Sequence, residues 1–142
     1  MSQCQDVMRS AVVVCRETDP VEWVAALMRD FDVTFLPVTD RNGTLVGVIT
    51  ARDLVARVVA EGRSASTEAR EVMTRRVALC RTDDALRDVE EMMVASGRSR
   101  LAVVDANGAF VGVVELGDVV LSGRFASRRD LEPVGAADEF RI

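Results

Sequence analysis

The chain has 142 residues, 49% of them hydrophobic and 29% charged, with a net charge of −5 at neutral pH; this composition excludes a disordered chain and suits one soluble domain with a real core. No apolar run approaches the roughly 20 residues of a membrane helix, and "MSQCQDVMRS" lacks the basic and apolar regions of a secretion signal, so the expected location is cytoplasmic. The acidic balance argues against nucleic acid, whose phosphates call for a basic face, and the absence of histidine removes the commonest general base and transition-metal ligand.

All 18 basic residues are arginine. The three cysteines, Cys4, Cys15 and Cys80, show no CxxC spacing, so neither a disulfide framework nor a zinc site is expected.

Sliding the chain against itself by 65 residues aligns two halves without a gap, with about eighteen identities in roughly fifty positions. "DVMRSAVVVCRETD" falls on "EVMTRRVALCRTDD", and "LPVTDRNGTLVGVITARDLV" on "LAVVDANGAFVGVVELGDVV". The expected boundaries are a first repeat over 6–60, a linker over 61–70, a second repeat over 71–122 and a surface tail over 123–142.

In chain order, each copy begins with a short apolar strand, Ala11 to Cys15 or Val77 to Cys80. Helix-starting residues follow, Asp19-Pro20 in one copy and Thr82-Asp83-Asp84 in the other. Next come amphipathic helices, "PVEWVAALMRDFD" and "DALRDVEEMMVASG", with apolar residues at helical spacing. Two strands then flank a turn at Asn42-Gly43 or Asn107-Gly108. A second helix runs from about Ala51 to Glu61, or from about Leu116 to Leu121. Each copy therefore reads strand, helix, strand, strand, helix.

The tandem "DVM" and "EVM" openings, the "LPV" strand, the "D-x-N-G-x-x-V-G-V" hairpin and "GVITARDL" resemble the CBS-domain pair, or Bateman module, over about residues 6 to 122. The resemblance implies an α+β fold of two β-α-β-β-α repeats related by a pseudo-twofold axis. It also implies pairing into dimers and binding of adenosine-containing ligands such as AMP, ADP, ATP or S-adenosylmethionine. The implied role is regulation of something else, not catalysis.

The ligand motif of that family is a glycine, two apolar residues, a threonine or serine, two variable residues and an aspartate. Gly47-Val48-Ile49-Thr50-Ala51-Arg52-Asp53 matches it in full. A strand ending at Ile49 would deliver the chain to a helix N-terminus, where free N–H groups attract an anion. Thr50 could then donate to a phosphate, while Asp53, one turn on, suits the two hydroxyls of a ribose. Gly47 would permit close backbone approach. The same threonine–acid spacing also describes a capping box, and the two readings are compatible. Val12, Val13 and Val14, with Leu36, Pro37 and Val38, are candidates to flank an adenine ring, with ordinary core as the alternative. Arg9 and Arg52 are candidates to reach the phosphate.

In the second copy, Gly112 and Asp118 keep the pattern but Glu115 stands where the hydroxyl belongs. A carboxylate about 5 Å from a phosphate costs roughly 1 to 3 kcal/mol, or about one to two orders of magnitude in affinity. That site is expected to bind phosphorylated ligands poorly, leaving one competent site per chain.

The remaining features have plainer readings. Cys15 and Cys80 occupy equivalent positions and suit small apolar core residues. Trp23 suits an interface, Met28, Met92 and Met93 suit core or dimer contacts, and Arg124, Arg128 and Arg129 suit a solvated end. No nucleophile with an adjacent base is found, so an enzyme is not expected, nor is any cofactor or resident metal. The whole reads as an adenine-nucleotide sensor, a homodimer passing its response to a separate effector protein. The rival is a structural or protein-interaction module that has lost ligand binding.

Overall fold

The computed structural model of the chain describes residues 2–10 and 12–127. The acidic residue that opens each repeat has a local purpose. Asp6 accepts the backbone N–H of Gln3 at 2.8 Å, and Glu71 accepts that of Glu68 at 2.9 Å. Each thereby closes a one-turn helix, α1 (Cys4–Val7) or α4 (Ala69–Val72).

Of the apolar run expected as the first strand, the described residues from Val12 form strand only at the end, β1 (Cys15–Arg16). It lies parallel to β2 (Phe35–Thr39), which offers partners only at Val38 and Thr39, so Val12, Val13 and Val14 stay outside the sheet. Between these strands lies α2 (Val21–Phe31). Asp19 prepares its start by accepting the N–H of Arg16 at 2.8 Å. β2 turns antiparallel into β3 (Leu45–Thr50). In the turn, Asp40 accepts the N–H groups of Asn42 and Thr44, and Gly43 takes the φ of +82° that an L side chain resists. The helix after β3 is α3 (Ala51–Leu54), continued by a π-helical turn over Val55–Val59.

The second copy repeats this order. β4 (Leu79–Arg81) runs parallel to β5 (Arg100–Val104), with α5 (Leu86–Ser96) between them. β6 (Phe110–Glu115) completes a three-stranded sheet, and α6 (Leu116–Ser127) follows. α6 continues past Leu121 into the stretch expected as tail, and Arg128 and Arg129 lie outside the described residues.

The compact units of the fold differ from the repeats of the sequence. One unit comprises residues 13–77 and 108–110; the other combines the chain through Val12 with 78–107 and the described residues from Val111 on. Each leading helix thus belongs to the unit built around the other copy's sheet. Backbone hydrogen bonds fix the exchange in matching pairs. Cys4 N donates to Asp84 O and Gln5 N to Thr82 O, while Ala69 N donates to Asp19 O and Arg70 N to Glu17 O. The second residue after each helix adds to the sheet edge: Arg9 exchanges two hydrogen bonds with Val113, and Thr74 does so with Val48.

Each unit has its own core. Val24, Leu36, Val38, Ile49 and Val72 anchor one, and Val89, Met93, Leu101, Val103 and Val114 the other. Cys15 belongs to the first, where burial, and after it the charge of Asp19, pushes its thiol up to about 12 from the ordinary 9.0. The unfolded thiol would ionise near its ordinary value while the folded one keeps its proton. The stability this gives is therefore intact below about pH 9 and is lost as pH rises toward 12. Urea unfolding of wild type and Cys15→Ala at pH 8 to 11 should show wild type losing up to about 1.4 kcal/mol more per pH unit above 9. Parallel curves would contradict the burial argument.

Candidate functional site

β3 delivers the chain to α3 at Thr50, which is still extended (φ −116°, ψ 164°) and serves as the helix cap. Thr50 Oγ1 accepts the N–H of Asp53 at 3.1 Å, and Asp53 Oδ2 accepts the N–H of Thr50 at 3.0 Å. The capping box is therefore formed. Thr50 Oγ1 still carries a proton it can donate.

Asp53 is only 7% exposed, an unusual burial for a carboxylate, and it has further partners. Thr74 Oγ1 donates to it, 3.2 Å from Oδ2 and 3.3 Å from Oδ1. Arg57 Nε stands 3.7 Å from Oδ1 and its guanidinium also donates to the carbonyls of Val72 and Met73. Two charge-bearing groups are thus fixed before any ligand arrives. The Oδ1 side is held the more loosely, by a long bond and a half-exposed arginine, and a pair of hydroxyls could replace those contacts at small cost.

Neither Thr74 nor Arg57 stands out in the sequence. Arg57 lies four residues after Asp53 and was legible as a helical ion pair. Thr74 is 21 residues away, and only the fold brings it in.

Gly47 does provide a close approach, and what approaches is the chain itself. A Cβ there would come within 2.8 Å of both Met73 Sδ and Thr74 O.

Leu36 and Val38 are fully buried in the core of this unit, in the cluster that holds Val24 and Met28 of α2 and Ile49 of β3. Pro37 is buried on the opposite face by strand alternation, paired with Val48. Val13 is half-buried against the core, whereas Val14 is exposed. Arg52 is exposed on α3.

Arg9 lies with the second motif. Its guanidinium is 3.2 Å from Asp118 Oδ2 and 3.9 Å from Glu115 Oε2, and Arg100 Nε is 3.7 Å from the same Glu115 oxygen. Under the 65-residue shift Arg9 matches Thr74, so each motif aspartate is met by the second residue after a leading helix. Two arginines offset the two acids, which softens the repulsion that Glu115 alone would exert on an anion. A concavity of about 410 Å³ opens here, lined by Val7, Arg9, Asp118, Leu121 and Ser122. Among the described residues no cluster of three or more potential metal ligands is present, and no helix is long and apolar enough to cross a membrane.

The CBS domain family profile matches residues 4–60 and 69–122. The chain belongs to the CBS domain family, with two copies in tandem. Its mixed helix-and-sheet repeats agree with solved CBS pairs. The chain is 32% identical over 122 residues to the CBS domain-containing protein YhcV of Bacillus subtilis, covering 86% of each protein. CBSX2 of Arabidopsis thaliana, solved in complex with AMP, shares 28% identity at a TM-score of 0.77, covering 89% of this chain and 98% of that one. The CBS domain pair of protein MJ0100, solved with 5-methylthioadenosine and S-adenosyl-L-methionine, shares 25% at a TM-score of 0.74, covering 87% and 98%.

Proposed function

We propose that this CBS pair is a non-catalytic regulatory module that binds one adenosine-containing ligand per chain at Thr50 and Asp53. The observation that carries the reading is the fixed junction of β3 and α3. There the complete motif holds a buried carboxylate one turn from a hydroxyl that keeps a proton to donate. The AMP and S-adenosylmethionine complexes of two related CBS pairs support the ligand class. The ribose hydroxyls would donate to Asp53 Oδ1, and a phosphate, where present, would accept from Thr50 and the first N–H groups of α3. Val13, Val14 and Pro37 are the remaining candidates for the base, with Arg52 at the edge.

Such a ligand regulates only through differential affinity. It would favour the conformation in which Thr50, Asp53 and Thr74 are correctly placed, and a separate effector protein would read that shift. The same reading makes the protein a cytoplasmic homodimer. Exposed Trp23 and Phe31 on α2 are apolar enough to support a partner surface.

Asp53→Asn tests the site while sparing the cap, because the amide oxygen can still accept the Thr50 N–H. Affinity for AMP or S-adenosylmethionine, read by equilibrium dialysis, should fall at least about tenfold, since a charge-assisted bond becomes a neutral one. Unchanged affinity would remove Asp53 from the site.

One observation favours the ligand-free interaction module: Thr50, Thr74 and Arg57 already occupy much of the Asp53 carboxylate. That reading predicts no thermal shift with any adenosyl compound and no effect of Asp53→Asn beyond stability.

A further inference from the structure

Cys4 and Cys80, 76 residues apart in sequence, meet inside one unit with their sulfurs 3.1 Å apart. Both are 0–1% exposed and free, Cys4 on α1 and Cys80 on β4. Under the 65-residue shift the matching pair in the other unit is Ala69 and Cys15, so the thiol pair exists in one unit only. A buried cysteine needs only apolar surroundings, and Cys15 has them. The second sulfur at Cys4 is what a packing role does not require.

We propose that Cys4 and Cys80 are a reversible redox-modification site, oxidised by a hydroperoxide to an internal disulfide that clips α1 to β4. The hydrogen bond from Cys80 holds the Cys4 thiol below its ordinary range, outweighing burial and the charge of Asp84, which push it up. That same bond, then burial, drives the Cys80 thiol well above its range. Cys4, carried by the single-turn helix α1 and not by a sheet strand, is the sulfur that opening exposes and so the attacking one, with Cys80 on β4 resolving.

The Cys4 thiolate attacks a peroxide oxygen; the O–O bond breaks, an S–O bond forms and, after proton transfer, one water leaves with hydrogen peroxide as oxidant. The Cys80 sulfur then attacks Cys4. The S–O bond breaks, the S–S bond forms and a second water leaves with the thiol proton. Each sulfur loses one electron and the peroxide takes two. A dithiol reverses the reaction by exchange.

Access requires local opening of α1, a single helical turn held by the backbone bonds of Cys4 and Gln5 to Asp84 and Thr82, an opening smaller than global unfolding. The consequence lies five residues on, at Arg9. Its backbone pairs with Val113 and its guanidinium with Asp118 and Glu115. A covalent clip would hold this segment against the concavity that Val7 and Arg9 line.

The test uses the full chain, reduced and then exposed to graded hydrogen peroxide. Remaining thiols are blocked by alkylation, and unreduced peptides are mapped by mass spectrometry. The expected product is a Cys4–Cys80 linked peptide pair, lighter by two hydrogens. It should form equally in Cys15→Ala and be reversed by dithiothreitol. The unfolding midpoint should rise by roughly 5–10 °C, as expected for closing so long a loop. Cys4 and Cys80 recovered as free thiols, as separate higher oxides or in intermolecular disulfides would overturn the proposal. Mapping is done on the wild-type chain, so the outcome does not depend on a variant folding.

Discussion

Leu36→Ala should lower the unfolding free energy by about 3 kcal/mol while leaving ligand affinity of the folded protein within about twofold. Leu36 is fully buried between β2 and the helices of its unit, and truncation removes three carbons from a close-packed site. Such deletions cost roughly 2 to 5 kcal/mol, depending on how far the cavity collapses. The double readout matters, because Leu36 was also a candidate to touch an adenine. Urea unfolding gives the first number and dialysis the second. A large loss of affinity without a loss of stability would return Leu36 to the ligand site.

Gly112→Ala and Gly47→Ala should each cost roughly 2 to 3 kcal/mol, in the range of overpacked positions that can relax only by backbone movement. A Cβ on Gly112 would stand 2.7 Å from Arg9 O, and one on Gly47 2.8 Å from Thr74 O. Both obstacles are carbonyls in the two-bond bridges that hold the leading segments to β6 and β3. The neighbouring turn supplies the contrast. Gly43 has open space around its Cβ position, so Gly43→Ala pays only for its positive φ and should be milder. Equal stability of Gly112→Ala and wild type by thermal melting would contradict the tight approach.

These glycines show how far the sequence could be read. The family motif includes the glycine, expected to permit close approach at a ligand site; in the fold it is the chain itself, at Met73 and Thr74, that comes close. The approaching backbone could not be named, because a 65-residue shift says which residues are equivalent, not which ones touch. The exchange of α1 and α4 between units was hidden for the same reason, and Thr74 with it.

Local chemistry was more legible. The periodicity of α2 and α5 and the Asp-x-Asn-Gly turns act within a few residues, and they appear where expected. The run Val12-Val13-Val14 misled because an apolar segment reads alike as strand or as coil laid on a core. "LPV" hid its faces similarly. Three consecutive buried residues show no alternation, so only the register of β2 separates Leu36 and Val38 from Pro37. At Thr50 and Asp53 the cap and the ligand motif share one spacing, and the structure realises the cap in full.

The most direct test is a calorimetric titration of wild type and Asp53→Asn with AMP and with S-adenosylmethionine. Saturation near one ligand per chain is expected for at least one of them, markedly weakened in Asp53→Asn. Two equal sites per chain would contradict the distinction drawn at Glu115. Binding indifferent to Asp53, or no binding of either compound, would contradict the site itself.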